Sequence, residues 1–213
     1  MHRLFVAIRP PEFVRDQLLD LMDDGEILRW QNEDQLHLTL RFIGEVERPQ
    51  AEDIATALGA IRFDPFELRL AGVGRFARRR GGALWAGVAP REPLAALAAK
   101  VDRACVAAGL PPERRAYHPH LTLARWNGPE PNLAPFVHRH AALASEPWPA
   151  DRFTLYQSHL RKDGAHYEAV AEYSAALAQS GSPAERSWFR WNKRASISSS
   201  SVSTPARQSS PQP

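Results

Sequence analysis

The chain has 213 residues, 44% of them hydrophobic, enough for one packed domain of ordinary size with a tail, or for two small lobes. Its formal net charge of +3 is unevenly spread: from Ser180 onward there are five basic residues (Arg186, Arg190, Lys193, Arg194, Arg207) against Glu185, which leaves the preceding 179 residues at −1. Wholesale coating of nucleic acid is not indicated, and any contact with it should be local. No apolar run approaches the roughly 20 residues of a bilayer-spanning helix, and the N-terminal apolar stretch is too short for a secretory signal. A lone cysteine, Cys105, allows no internal disulfide and disfavours a Cys-based metal site. A cytoplasmic protein without membrane attachment is the expectation.

The predicted elements alternate along the chain. Leu4–Ile8 reads as a strand closed by Pro10-Pro11. A helix is predicted over Glu12–Asp23, with Val14, Leu18, Leu21 and Met22 at helical spacing. His37–Ile43 reads as a strand ended by Gly44, followed by a helix with Ile54, Ala57, Leu58 and Ile61 on one face. Phe66–Val73 and Ala83–Val88 read as strands around a charged turn, Arg78-Arg79-Arg80-Gly81-Gly82. The next helix, Pro93 to Ala108, carries Leu94, Leu97, Val101 and Cys105 on its apolar face, so Cys105 is expected to be a small buried hydrophobe. Then come a strand at His120–Ala124, a short helix at Leu133–Ala141, and strands at Phe153–His159 and Tyr167–Ala171 joined by Lys162-Asp163-Gly164. Residues 179–213 are rich in Ser, Pro, Arg and Gln and lack a sustained apolar period, which predicts a disordered tail. Trp188, Phe189 and Trp191 within it have no assigned role.

This order repeats. His37 lies 32 residues after Phe5, and His120 lies 35 after Trp85; Phe66 lies 29 past His37, and Phe153 lies 33 past His120. Each half runs strand, helix, His-strand, helix, strand, which implies an internal duplication and two pseudo-symmetric lobes. The His-strands open with one tetrapeptide, His37-Leu38-Thr39-Leu40 and His120-Leu121-Thr122-Leu123. A single His-x-Thr would be weak evidence; two with identical apolar filling are not. In a strand, His and Thr share one face and the two Leu share the other. The Leu face can bury while two imidazoles and two hydroxyls line one cleft.

That set suits acid–base chemistry on a phosphate ester without a metal. Imidazole titrates near pH ~6.5, so one ring can be neutral while its partner is protonated. The near-symmetry leaves either order of roles open. Thr39 and Thr122 can donate to phosphoryl oxygens. Strict alternation from His120 sends Arg125 to the opposite face, so a bulge or the strand's end must return it to the site. Arg41 falls on the His37 face if that strand runs on. Arg75 and Arg78–Arg80 read first as a solvated turn and second as a hairpin edge able to touch phosphates, and Phe76, Trp85 and Trp126 read first as core or rim packing and second as rings able to stack on a base. His118, before Pro119, reads as structural. His138 and His140 have no partner cluster for a metal site. No Gly-rich phosphate loop occurs, which disfavours an ATP-dependent ligase.

Several strings carry a resemblance: Leu4-Phe5-Val6-Ala7-Ile8-x-Pro-Pro-Glu12, His37-Leu-Thr-Leu-Arg41-Phe-Ile-Gly-Glu45, Gly72-Val-Gly-Arg-Phe76, Leu84-Trp-Ala-Gly-Val88 and Pro119-His-Leu-Thr-Leu-Ala-Arg125. With the paired motifs, they resemble the 2H phosphoesterase superfamily, and within it the bacterial RNA 2',3'-cyclic phosphodiesterases, also called 2'-5' RNA ligases. The resemblance spans residues 3–175. It departs at Arg41, where Lys is usual. It implies an α+β fold of two pseudo-symmetric lobes over residues 1–178, with antiparallel sheets lining a central cleft and helices outside. It further implies hydrolysis of RNA 2',3'-cyclic phosphate ends to 2'-phosphomonoesters, with weak reverse ligation. His37 would be the proton donor and His120 the proton acceptor, with Thr39, Thr122, Arg125 and Arg41 holding the substrate. The expected partner is RNA with a 2',3'-cyclic phosphate end; no cofactor or metal is expected, and the chain is expected to be a monomer. Two alternatives stay open: a phosphodiesterase for small cyclic nucleotides or ADP-ribose cyclic phosphate, and a non-catalytic RNA-end binder.

Overall fold

A computed structural model of the chain describes residues 1–22, 28–161 and 164–176. Asp23, the turn residues Lys162 and Asp163, and the expected tail with Trp188, Phe189 and Trp191 lie outside the described residues. In chain order the elements are β1 (His2–Ile8), α1 (Glu12–Leu19), β2 (Arg29–Trp30), a 3-10 turn (Glu33–Gln35), β3 (Leu38–Val46), α2 (Arg48–Gly59), β4 (Phe66–Arg78), β5 (Gly81–Ala89), α3 (Arg91–Ala107), β6 (His120–Asn127), α4 (Ala134–Arg139), β7 (Trp148–Ala150), β8 (Arg152–Arg161) and β9 (Gly164–Ser174). The strands run longer than their apolar patterns, and α1 stops at Leu19. β2, β7 and the 3-10 turn, at two or three residues each, are too short to leave a periodic signal.

The fold is mixed α/β, dominated by one open nine-stranded sheet of order β7-β4-β5-β6-β3-β1-β8-β9, with β2 beside β6. The described strand pairs are antiparallel. The duplication is visible in this order. Outward from the centre, β3, β1, β8 and β9 on one side correspond to β6, β5, β4 and β7 on the other. The lobes, however, are not the two halves of the sequence. β4, the third strand of the first repeat, pairs with β5 of the second, and β8, the third strand of the second, pairs with β1 of the first. Each repeat thus lends a strand to the other lobe. The two lobes meet where β3 and β6 pair through Leu38 and Leu121.

β1 shows how the sheet divides its faces. Leu4, Val6 and Ile8 point into the main core with Val14 and Leu18 of α1, Ile54 and Leu58 of α2, and Leu94, Leu97, Val101 and Cys105 of α3. Phe5 and Ala7 point to the opposite face, where they pack with Tyr156 and Tyr167. Alternation therefore gives β1 a helix-covered face and a second, largely aromatic face. Cys105 lies in the core as expected, and burial pushes its thiol up to about 11. Among the described residues, no helix is long and apolar enough to cross a membrane.

Candidate active site

The central pair Leu38–Leu121 places both motifs at the lobe junction, with both leucines fully buried. Continuing the antiparallel register puts His37 across from Thr122 and Thr39 across from His120. The motifs are therefore interleaved: each imidazole has the other strand's threonine as its cross-strand neighbour. The four side chains are half-buried, between the packed leucines and solvent.

The two rings are held in the same way. His37 Nδ1 lies 2.7 Å from Gln35 O, and His120 Nδ1 lies 2.7 Å from His118 O. A carbonyl oxygen only accepts, so each Nδ1 must donate. The neutral ring then carries a free lone pair on Nε2, and the protonated ring carries an Nε2–H. Local sequence builds the first support: Asn32 and Gln35 form a reciprocal capping box around the 3-10 turn. Arg15 donates to Glu33 Oε1 at 2.9–3.0 Å, and Gln35 Nε2 donates to Ala165 O at 3.0 Å, which ties that turn to α1 and β9.

Aromatic rings line both imidazoles. Phe5 lies 4.8 Å and Tyr167 5.1 Å from His37 between ring centroids, the latter edge-on. Phe76 lies 5.0 Å and Trp85 6.2 Å from His120. The Trp85 indole covers Gly74 across the β4–β5 pair, where a Cβ would collide with it. Burial among these rings disfavours the charged imidazolium, and Arg125 adds a repulsive charge to both. His37 is brought down to about 4, with His120 as a further repulsive neighbour. His120 is also lowered, with burial the leading cause and His118 and Arg125 as repulsive neighbours.

Bulges decide the fate of the two arginines. In β6 the pairing with β5 skips Leu123, so Leu123 and Ala124 both face the core and Arg125 returns to the face of His120 and Thr122. β3 carries the same bulge: its pairing with β1 skips Leu40, and both Leu40 and Arg41 turn inward. This corrects the expectation for Arg41. It is 8% exposed, ion-paired with Asp102 and Glu113 at 3.1 Å each and donating a hydrogen bond to Pro111 O at 2.6 Å, on the helix-covered side of the sheet. The residue that takes the place of Arg125 in the first lobe is Phe42, 55% exposed and 6.1 Å from Phe5 between centroids. Tyr167 and the support formed by Asn32 and Gln35 were not singled out from the sequence. The Asn-x-x-Gln spacing was a legible cue for the support; Tyr167 comes from a distant strand and had none.

Among the described residues, no cluster of three or more His, Cys, Asp or Glu side chains is placed to hold a metal ion. The arrangement offers two fixed Nε2 atoms, two hydroxyl donors and one guanidinium.

Comparison with known proteins shows the family and the fold. A family model for the 2'-5' RNA ligase superfamily matches residues 24–162. An RNA 2',3'-cyclic phosphodiesterase of Aeropyrum pernix is 33% identical over 156 residues, covering 71% of this chain and 89% of the relative. The Escherichia coli K12 protein of the same name is 29% identical over 176 residues, 81% of this chain and 96% of its own. The crystal structure of E. coli LigT complexed with 3'-AMP superimposes with a TM-score of 0.70 at 27% identity, covering 83% of this chain and 99% of LigT. With the family model spanning both His-x-Thr strands and the LigT fold covering 83% of this chain, this chain belongs to the 2'-5' RNA ligase superfamily.

Proposed function

We propose that the chain is a phosphodiesterase that opens 2',3'-cyclic phosphate ends of RNA to 2'-phosphomonoesters, using the two histidines as acid and base. The observation that carries this reading is the matched pair of Nδ1-to-carbonyl bonds, which leaves both Nε2 atoms available at one lobe junction. In the reaction, His120 Nε2 takes a proton from water as the water oxygen bonds to phosphorus. The bond from phosphorus to O3' breaks, and His37 Nε2–H protonates the departing oxygen. The 2'-phosphate and a free 3'-hydroxyl result, and the two rings exchange charge states. Thr39 and Thr122 donate to the non-bridging oxygens, and Arg125 balances their charge.

Burial and the nearby Arg125 favour the neutral form of both rings in the free site. The negative charge of a bound phosphodiester offsets Arg125 and restores a proton to His37, so substrate prepares its own acid. Microscopic reversal, with a 5'-hydroxyl in place of water, would give a 2'-5' linkage. We assign the catalytic unit to residues 1–178, supported by a sheet whose last strand ends at Ser174.

The test is a short RNA with a 2',3'-cyclic end, incubated with the full chain in EDTA. Turnover to the 2'-phosphate is expected. His37→Ala and His120→Ala should each lower kcat by about 10²–10⁴-fold, the usual share of a general acid or base, with the circular dichroism spectrum unchanged. Full activity in both variants, or its loss to chelator in the parent protein, would sink the mechanism.

A further inference from the structure

Three arginines meet at the outer end of β6, and the reaction just described needs only one of them. Arg29 on β2 is the direct cross-strand partner of Arg125, and Arg78 approaches from the β4–β5 hairpin, whose Gly81 pairs with Asn127 of β6. Both Arg29 and Arg78 press on the Arg125 guanidinium as like charges. Like charges directly opposite one another in a sheet are unfavourable. The usual remedy is an interleaved carboxylate, and the neighbouring Arg75 has one in Glu130. Arg29, Arg78 and Arg125 have no ion-pair partner among the described residues, and all three are exposed. A protein whose first 179 residues carry a net charge of −1 thus gathers three cations beside its cleft that have no ion-pair partner among the described residues.

We propose that Arg29 and Arg78, continuing outward from Arg125, form a subsite for the phosphodiester on the 5' side of the cyclic end, so that the enzyme reads an RNA chain rather than a lone cyclic nucleotide. The inference rests on the cyclic phosphodiesterase reading and adds to it the residues that hold the adjoining phosphodiester. Arg125 lies close enough to both imidazoles to bias them, so its inner side serves the reacting phosphate. The nucleoside bearing that phosphate continues through its 5' oxygen to the next phosphodiester. A second anion held there relieves the repulsion that Arg29 and Arg78 exert on Arg125. Backbone contacts of this kind position a strand without reading its sequence.

The experiment compares adenosine 2',3'-cyclic phosphate with an adenosine dinucleotide carrying the same cyclic end. The parent protein should turn over the dinucleotide with a kcat/KM at least tenfold higher. Arg29→Ala and Arg78→Ala should each remove roughly tenfold of that advantage through KM, about one charged hydrogen bond, and leave the mononucleotide rate unchanged. Arg29→Lys should retain most of the advantage, and Arg75→Ala should affect neither substrate. The dependence of log kcat/KM on log salt for the dinucleotide should flatten when either arginine is removed. Equal use of the two substrates by the parent protein, or variants that lower both rates alike, would overturn the subsite. A parent protein that turns over neither substrate would instead overturn the reading beneath it, and the subsite with it.

Discussion

His37 is the side chain on which the chemistry and the electrostatics pull in opposite directions. Its proposed task is to donate a proton, yet burial against Phe5 and Tyr167, with Arg125 and His120 nearby, brings its pKa down to about 4. The sign has a kinetic consequence. The profile of kcat/KM reports the free enzyme, and that of kcat reports the complex. With the donor's pKa lowered in the free site, kcat/KM should already be falling between pH 4 and the ordinary imidazole value near ~6.5. In the complex the substrate's negative charge raises the same pKa, so the alkaline limb of kcat should lie at higher pH. Arg125→Gln removes a repulsive charge and should move the kcat/KM limb upward, even as the rate drops. Two pH-rate series decide this; a limb that stays in place would show that Arg125 does not act on His37. The sequence pointed to His37, His120, Thr39 and Thr122 because strand alternation acts on adjacent residues. Tyr167 was invisible because it reaches the ring only through the β1–β8–β9 pairings.

At the scale of the element, one inserted residue separates two arginines that look alike in sequence. Arg41 follows its tetrapeptide directly, whereas Ala124 comes between the second tetrapeptide and Arg125, which stands one place later. With the same bulge in both strands, position 41 falls on the core side and position 125 on the cleft side. Arg41 therefore clamps β3 to Asp102 of α3 and to the segment at Pro111 and Glu113. Glu113, which Arg115 and Arg41 both engage, is correspondingly held down to about 2. Arg41→Ala should destabilise the fold by about 3 kcal/mol, the lower end for breaking a buried ion pair because its carboxylates remain partly solvated. The folded variant should keep kcat/KM within a few-fold of the parent. Urea unfolding and steady-state kinetics on one preparation check both halves; unchanged stability with a large loss of rate would restore Arg41 to the site. Pleating and charge were legible at Arg41, but the bulge was not, because a bulge is a property of two strands paired together.

For the whole molecule, the exchange of third strands makes the duplication mutual. β4 pairs with β5, and β8 with β1, so the third strand of each repeat finds a partner in the other repeat. A chain divided in the turn between β4 and β5 should give two fragments, each without cooperative unfolding alone, because β1 lacks β8 in one and β5 lacks β4 in the other. Mixing them should recover a cooperative transition and cyclic phosphodiesterase activity; a first fragment that folds alone would contradict the exchange. By itself the sequence determined the element types, the duplication and the four motif residues, since these follow from periodicity and composition over short windows. Only the tertiary structure decided which lobe each third strand joins, which arginine faces the cleft, and that Arg29 stands beside Arg125. Those outcomes depend on cross-strand register, which links residues far apart in the chain and leaves no trace in any one window.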